Sequence, residues 1–76
     1  MDFKGKSQLD QAETSFQKAV TADPNNVKAH YDLAWTLALE GKKPEAITEF
    51  KAVLGLTPDP TQKKEATAAL KRLGAG

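Results

Sequence analysis

The chain has 76 residues, enough for one small domain, and it contains no cysteine, so no disulfide can supplement a small core. Eleven basic and ten acidic residues leave a net charge of +1, which is too small for strong electrostatic binding to nucleic acid or to an anionic membrane. No signal peptide follows Met1, and no apolar run is long enough to span a membrane. We therefore expect a soluble protein, in a compartment that the sequence leaves unknown.

The first of four predicted helices covers residues 8–22. Ser7 is predicted to be its N-cap, with Asp10 in the capping-box position. Pro24 ends the helix because it disfavours helical geometry at the residue before it. An apolar stripe recurs along this helix at spacings of three and four residues: Leu9, Ala12, Phe16, Ala19 and Val20.

Three further helices are predicted after Pro24. Their ranges are 27–40, 44–56 and 60–73. Gly41 is predicted to be a left-handed C-cap, and Pro44 suits the first position of the helix that follows. Asp59 is expected to cap the last helix and Pro60 to open it. No segment alternates as a strand would, so the fold class is all-α, with short loops and antiparallel neighbours.

Two of the breaks between helices are related by a fixed period, since Pro24 and Pro58 are 34 residues apart. The same offset relates four pairs of apolar residues: Ala12 and Ala46, Phe16 and Phe50, Ala19 and Val53, and Val20 and Leu54. The alanines allow close approach of the helix backbones, and the phenylalanines fill the space between them. A helix-turn-helix unit repeated at a fixed period predicts an α-solenoid.

The repeat resembles the tetratricopeptide repeat family. Its positions are filled by Leu33, Ala34, Leu37, Gly41, Ala46, Phe50, Val53 and Pro58. The resemblance implies about one and a half repeats in a single domain: a partial repeat over 1–26, a complete repeat over 27–60, a capping helix over 61–73 and a tail over 74–76. His30 departs from the pattern, because the family usually has tryptophan there. Phe3 fits the end of the partial repeat's missing first helix.

The resemblance also implies a protein-protein interaction scaffold that binds a partner peptide or segment on its concave face. The candidate partner-binding residues are Lys28, Tyr31, Asp32, Trp35, Ala38 and Leu39. Four of them are expected on the side of the helix opposite the core: Tyr31, Trp35, Ala38 and Leu39. Tyr31, Asp32 and Trp35 stand where carboxylate-clamping members of the family carry cations and amides, which favours an apolar ligand segment. The alternative for Tyr31 and Trp35 is packing within this chain or under a second copy.

The helix over 8–22 is a second helix whose first helix is missing. Its stripe would leave Leu9, Phe16 and Val20 without their usual partner. Either the chain is a fragment of a longer protein, or it is a self-associating structural unit whose apolar surfaces complete its own core. The second function hypothesis is therefore self-association into a dimer or a larger homo-oligomer. In one form of this hypothesis, the copies exchange helices.

No enzyme, metal or cofactor signature is found in the sequence. His30 is interpreted as a packed or capping side chain, and Glu45 and Glu49 as a surface pair. The last helix has a basic side, formed by Lys63, Lys64, Lys71 and Arg72. Glu65 interrupts it and no aromatic residues are interleaved, so it is interpreted as a solvated face and not as a nucleic-acid site.

Overall fold

The computed structural model describes the backbone of residues 3–74 and the side chains of residues 8–74. It contains four helices: α1 (Phe3–Ala22), α2 (Val27–Leu39), α3 (Lys43–Leu56) and α4 (Pro60–Arg72). Each helix packs on the next one along the chain, α1 on α2, α2 on α3 and α3 on α4. The described residues contain no strand, and the predicted all-α fold is confirmed.

The ends of the last three helices agree with the prediction to within one residue, and side-chain caps explain two of the starts. The Asn26 side chain accepts a hydrogen bond from the Ala29 backbone N–H at 3.1 Å. Asp59 accepts one from the Thr61 N–H at 2.9 Å. Each cap satisfies a backbone donor that has no partner inside its helix.

The turn between α2 and α3 is a Schellman motif centred on Gly41. This glycine has φ +83°, a left-handed conformation that side-chain-bearing residues rarely adopt. Its N–H donates to the Ala38 carbonyl at 3.1 Å, and the Lys42 N–H donates to the Leu37 carbonyl at 2.9 Å. The predicted left-handed cap is confirmed. Helix α3 begins at Lys43, so proline occupies its second position and not its first.

Helix α1 begins at Phe3, five residues before the predicted start. The prediction of an N-cap at Ser7 with a capping box to Asp10 is therefore wrong, and so is the placement of Phe3 in a separate preceding helix. One period later, the positions of Ser7 and Asp10 hold Gly41 and Pro44, which turn the chain between α2 and α3. Serine and aspartate supply neither a left-handed residue nor a helix breaker, so α1 continues through this point.

The core lies between α2, α3 and α4. Phe50 and Val53 of α3 are its largest fully buried side chains. The rest of the cluster is Leu33, Ala34, Leu37, Ala46, Ala66, Ala69 and Leu70. The alanines at 34, 46 and 66 are completely buried, which brings the helix backbones together around the Phe50 ring. Helix α4 buries this one face, and its lysines remain exposed.

Candidate protein-interaction surface

A pair of charged residues lies near the start of α2. Lys28 and Asp32 lie one helical turn apart, and the Lys28 Nζ is 3.0 Å from an Asp32 carboxylate oxygen. The lysine side chain is largely exposed and the aspartate is half-buried. An exposed pair of this kind contributes little to stability, so both groups are accessible to a partner at small cost.

Tyr31 and Trp35 lie beside the core, and the prediction that they project from the opposite side of α2 is wrong. Both rings contact Phe50 edge-on, with centroids 5.9 Å away for Tyr31 and 5.3 Å for Trp35. The two rings also contact each other at 6.2 Å. Three mutually perpendicular rings form a favourable aromatic cluster. The alternative derived from the sequence was packing within the chain, and such packing covers one side of each half-buried ring.

A cavity of about 350 Å³ lies between α2 and α4. Its apolar lining comes from Val27, Tyr31 and Val53. Its polar lining comes from Lys28, Asp32, Gln62 and Glu65. Three of the six predicted partner-binding residues thus converge on one concavity with two residues of α4 that the sequence did not indicate. An apolar floor with a few polar groups at the edge is the usual character of a ligand pocket.

Ala38 and Leu39 differ from each other in exposure. Ala38 packs against the core cluster, and Leu39 is 69% exposed. Among residues 8–74, Leu39 is the one large apolar residue whose side chain is exposed to solvent. The end of α2 thus has the exposed apolar group that the sequence predicted, one residue beyond an alanine that the core covers.

The three residues proposed for self-association are half-buried. Phe16 and Val20 pack against the core cluster from α1, and Leu9 lies nearer the start of that helix. Helix α2 therefore covers part of the stripe that the sequence left without a partner. The exposed portion of these side chains is smaller than a bare apolar helix face would present.

Three carboxyl groups meet where α1 crosses the end of α2. Asp10, Glu13 and Glu40 each place an oxygen within 4.8 Å of the others. The Lys42 ammonium group bonds Glu13 at 2.9 Å. Burial raises the pKa of Glu40 to about 7, and a hydrogen bond to Glu13 adds to the rise. The same hydrogen bond, together with Lys42, lowers the pKa of Glu13.

His30 joins three segments of the chain. It is buried, and its Nε2 donates to the Pro24 carbonyl at 2.7 Å. Its Nδ1 lies 2.6 Å from a Glu49 carboxylate oxygen. The interpretation of His30 as a packed side chain is confirmed. The interpretation of Glu49 as a surface residue is wrong, because it is half-buried against this ring.

A comparison with protein families finds one model, described as tetratricopeptide repeat, that matches residues 5–73. The chain belongs to the tetratricopeptide repeat family. Tetratricopeptide repeats generally mediate protein-protein interactions, and the family is a non-enzymatic repeat scaffold. Comparisons with curated proteins and with solved structures find no match.

The assignment of α2 and α3 to one complete repeat, and of α1 to the second half of the repeat before it, stays a prediction. No helix in the described part of the chain is long and apolar enough to cross a membrane. The sequence indicated the α2 half of the candidate surface because residues on one helix face recur every three or four positions. It missed Gln62 and Glu65, since their approach to α2 depends on how α4 packs.

Proposed function

We propose that this tetratricopeptide repeat domain binds an extended segment of a partner protein on its concave face, along α2. The proposed contact residues are Lys28, Tyr31, Asp32, Trp35, Ala38 and Leu39. The cavity between α2 and α4 carries the proposal, because it offers a place for one partner side chain beside the polar groups of Asp32 and Glu65. The adjoining stretch of α2 would contact the residues that follow along the partner.

The aromatic packing supports this proposal by limiting what binding costs. Tyr31 and Trp35 are held against Phe50, so their rings lose little conformational freedom when a partner covers their other side. Rigid aromatic side chains with one open side are effective anchors in interfaces. An apolar partner side chain against Tyr31 is therefore expected to contribute most of the affinity.

The experiment is a selection from a phage-displayed library of random 12-residue peptides, followed by calorimetry and NMR shift mapping with the selected peptides. Glu65→Trp would place a bulky ring at the cavity, and it should weaken binding at least tenfold. Lys64→Trp makes the same change at the neighbouring exposed position, which does not line the cavity, and it should leave binding unchanged. Shifts should concentrate on α2 and on the first half of α4.

Equal affinities for the two tryptophan variants would contradict the proposal, as would shifts confined to α1 and α3. Light scattering over a dilution series tests self-association, the second hypothesis. A dimer that persists on dilution and whose interface covers Tyr31 would assign the surface to a second copy of the chain.

A further inference from the structure

A second surface lies at the other end of α2, where Leu39 stands beside α1. A cavity of about 560 Å³ opens there, and it is lined by Leu9, Asp10, Leu39, Glu40 and Lys42. We name these five residues the α1–α2 patch. It shares Leu39 with the binding surface proposed above but lies outside the cavity between α2 and α4. Its lining combines an exposed leucine, a half-buried leucine and charged groups.

The apolar part of the patch is open to solvent. Leu39 exposes 69% of its surface in a chain whose other described large apolar side chains are buried or half-buried. Leu9 on α1 borders the same cavity. An exposed leucine beside a concavity is the kind of feature that a partner's apolar side chain covers in an interface.

The charged part of the patch is short of positive charge. The Asp10 and Glu40 carboxyl groups of the patch form a cluster with the carboxyl group of Glu13, which lies beside the patch. Among the described side chains, the Lys42 ammonium group is the one that bonds this cluster. That ammonium group is already bonded to Glu13. A Glu40 carboxylate oxygen, Oε1, is buried and has no hydrogen-bond donor among residues 8–74. Burial of that oxygen without a donor disfavours the ionised form of the Glu40 carboxyl group.

We propose that the α1–α2 patch docks a segment of a partner protein that presents an apolar side chain beside an arginine or lysine. The apolar side chain covers Leu39 and Leu9, and the cation donates to Glu40 and Asp10. Charge complementarity selects this occupant, because the three carboxyl groups of the cluster outnumber the one ammonium group bonded to it among residues 8–74, and an acidic segment would add repulsion. Arginine suits the position best, since its planar group can serve two carboxylates at once.

Proton release gives this docking a distinctive pH dependence. The pKa of Glu40 is raised to about 7 by burial and by Glu13, with Asp10 adding to the rise and Lys42 opposing it. A cation binds the ionised carboxylate, so the affinity should increase several-fold as the pH rises from 6 to 8. Glu40→Gln removes the titrating group and should remove this dependence.

The test is a selection from the same library of random 12-residue peptides, with removal of every peptide that also binds the Leu39→Ser/Glu40→Gln double variant. Both positions tolerate these changes, because Leu39 is exposed and glutamine has the shape of glutamate; circular dichroism checks that the variant is folded. The remaining peptides should pair Arg or Lys with Leu, Ile or Phe within four residues. Each should bind the wild-type chain at least tenfold more tightly than either single variant.

The Glu65→Trp variant, changed at the cavity between α2 and α4, should bind the selected peptides as tightly as the wild-type chain, so failure of this proposal is distinguishable from failure of the function proposed above. The proposal is overturned if no peptide survives, if the survivors lack a basic residue, or if their affinity does not rise between pH 6 and 8. It is also overturned if light scattering finds a dimer of the free chain that Leu39→Ser dissociates, since the occupant would then be a second copy.

Discussion

The contact of α3 with its neighbours and the contact of α1 with α2 are built from the same repeat positions, but they are packed differently. Phe50 of α3 is completely buried, enclosed by Tyr31, Trp35 and the alanines of three helices. Phe16, its counterpart one period earlier, is half-buried and lies in α1, which packs mainly on α2. Equivalent residues in a repeat therefore differ in energy according to how many helices surround them.

Truncating the two phenylalanines measures this difference most directly. Phe50→Ala should lower the free energy of unfolding by about 3–5 kcal/mol, because it removes a fully enclosed ring and leaves a cavity. Phe16→Ala should cost only about 1–2 kcal/mol, since part of that ring already contacts water. Urea denaturation followed by circular dichroism gives both values. Similar losses for the two variants would mean that α1 is as well packed as α3.

Two glycine substitutions sharpen the comparison at the level of the backbone. Gly41→Ala should cost about 1–2 kcal/mol, because an alanine at φ +83° is strained even though its Cβ would meet no atom within 4 Å. Gly55→Ala, in the last turn of α3, should instead stabilise by up to about 1 kcal/mol. Thermal unfolding of the pair checks the signs. A neutral Gly41→Ala would indicate that the α2–α3 turn does not need its left-handed residue.

The smallest expected effect concerns pH and the α1–α2 contact. The pKa of Glu40 is about 7 in the folded chain, above its ordinary value of 4.5, so the folded state binds this proton more tightly than the unfolded state. The stabilisation from protonated Glu40 is complete below about pH 4.5 and is lost as the pH rises through about 7. Between pH 5 and 8 the melting temperature of the wild-type chain should therefore fall more than that of Glu40→Gln.

Glu65→Gln is the matched control for this experiment, because Glu65 is an exposed carboxylate on α4, away from α1. Its melting curve should follow the wild-type pH dependence. If Glu40→Gln and Glu65→Gln respond alike, the carboxyl cluster makes no contribution to the docking of α1.

The sequence predicted the three C-terminal helices and the centre of the core because their determinants are local. Gly41, Asn26 and Asp59 act on backbone groups within three residues, and the spacing that places Phe50 in the core operates within one helix. The start of α1 was missed because Ser7 and Asp10 have the residue types of a capping box, but no glycine or proline interrupts the helix there, as Gly41 and Pro44 do 34 residues later.

The candidate surface was only partly predictable. Which residues share a face of α2 is predictable from the helical spacing. The packing of Tyr31 and Trp35 against Phe50 is not, because it depends on long side chains and on the position of α3. The carboxyl cluster joins Asp10 to Glu40, thirty residues apart, and it exists only because of how α1 crosses α2. No local pattern in the sequence specifies that crossing.

The hydrogen bonds of His30 predict where the chain divides into cooperative units. This ring ties the Pro24 carbonyl, in the turn after α1, to Glu49 in the middle of α3. The turn is therefore attached to the α2–α3 hairpin more firmly than α1 is. In native-state hydrogen exchange, α1 should open as a separate foldon of lower free energy, with its boundary at Ala22, and the turn should exchange with the rest of the molecule.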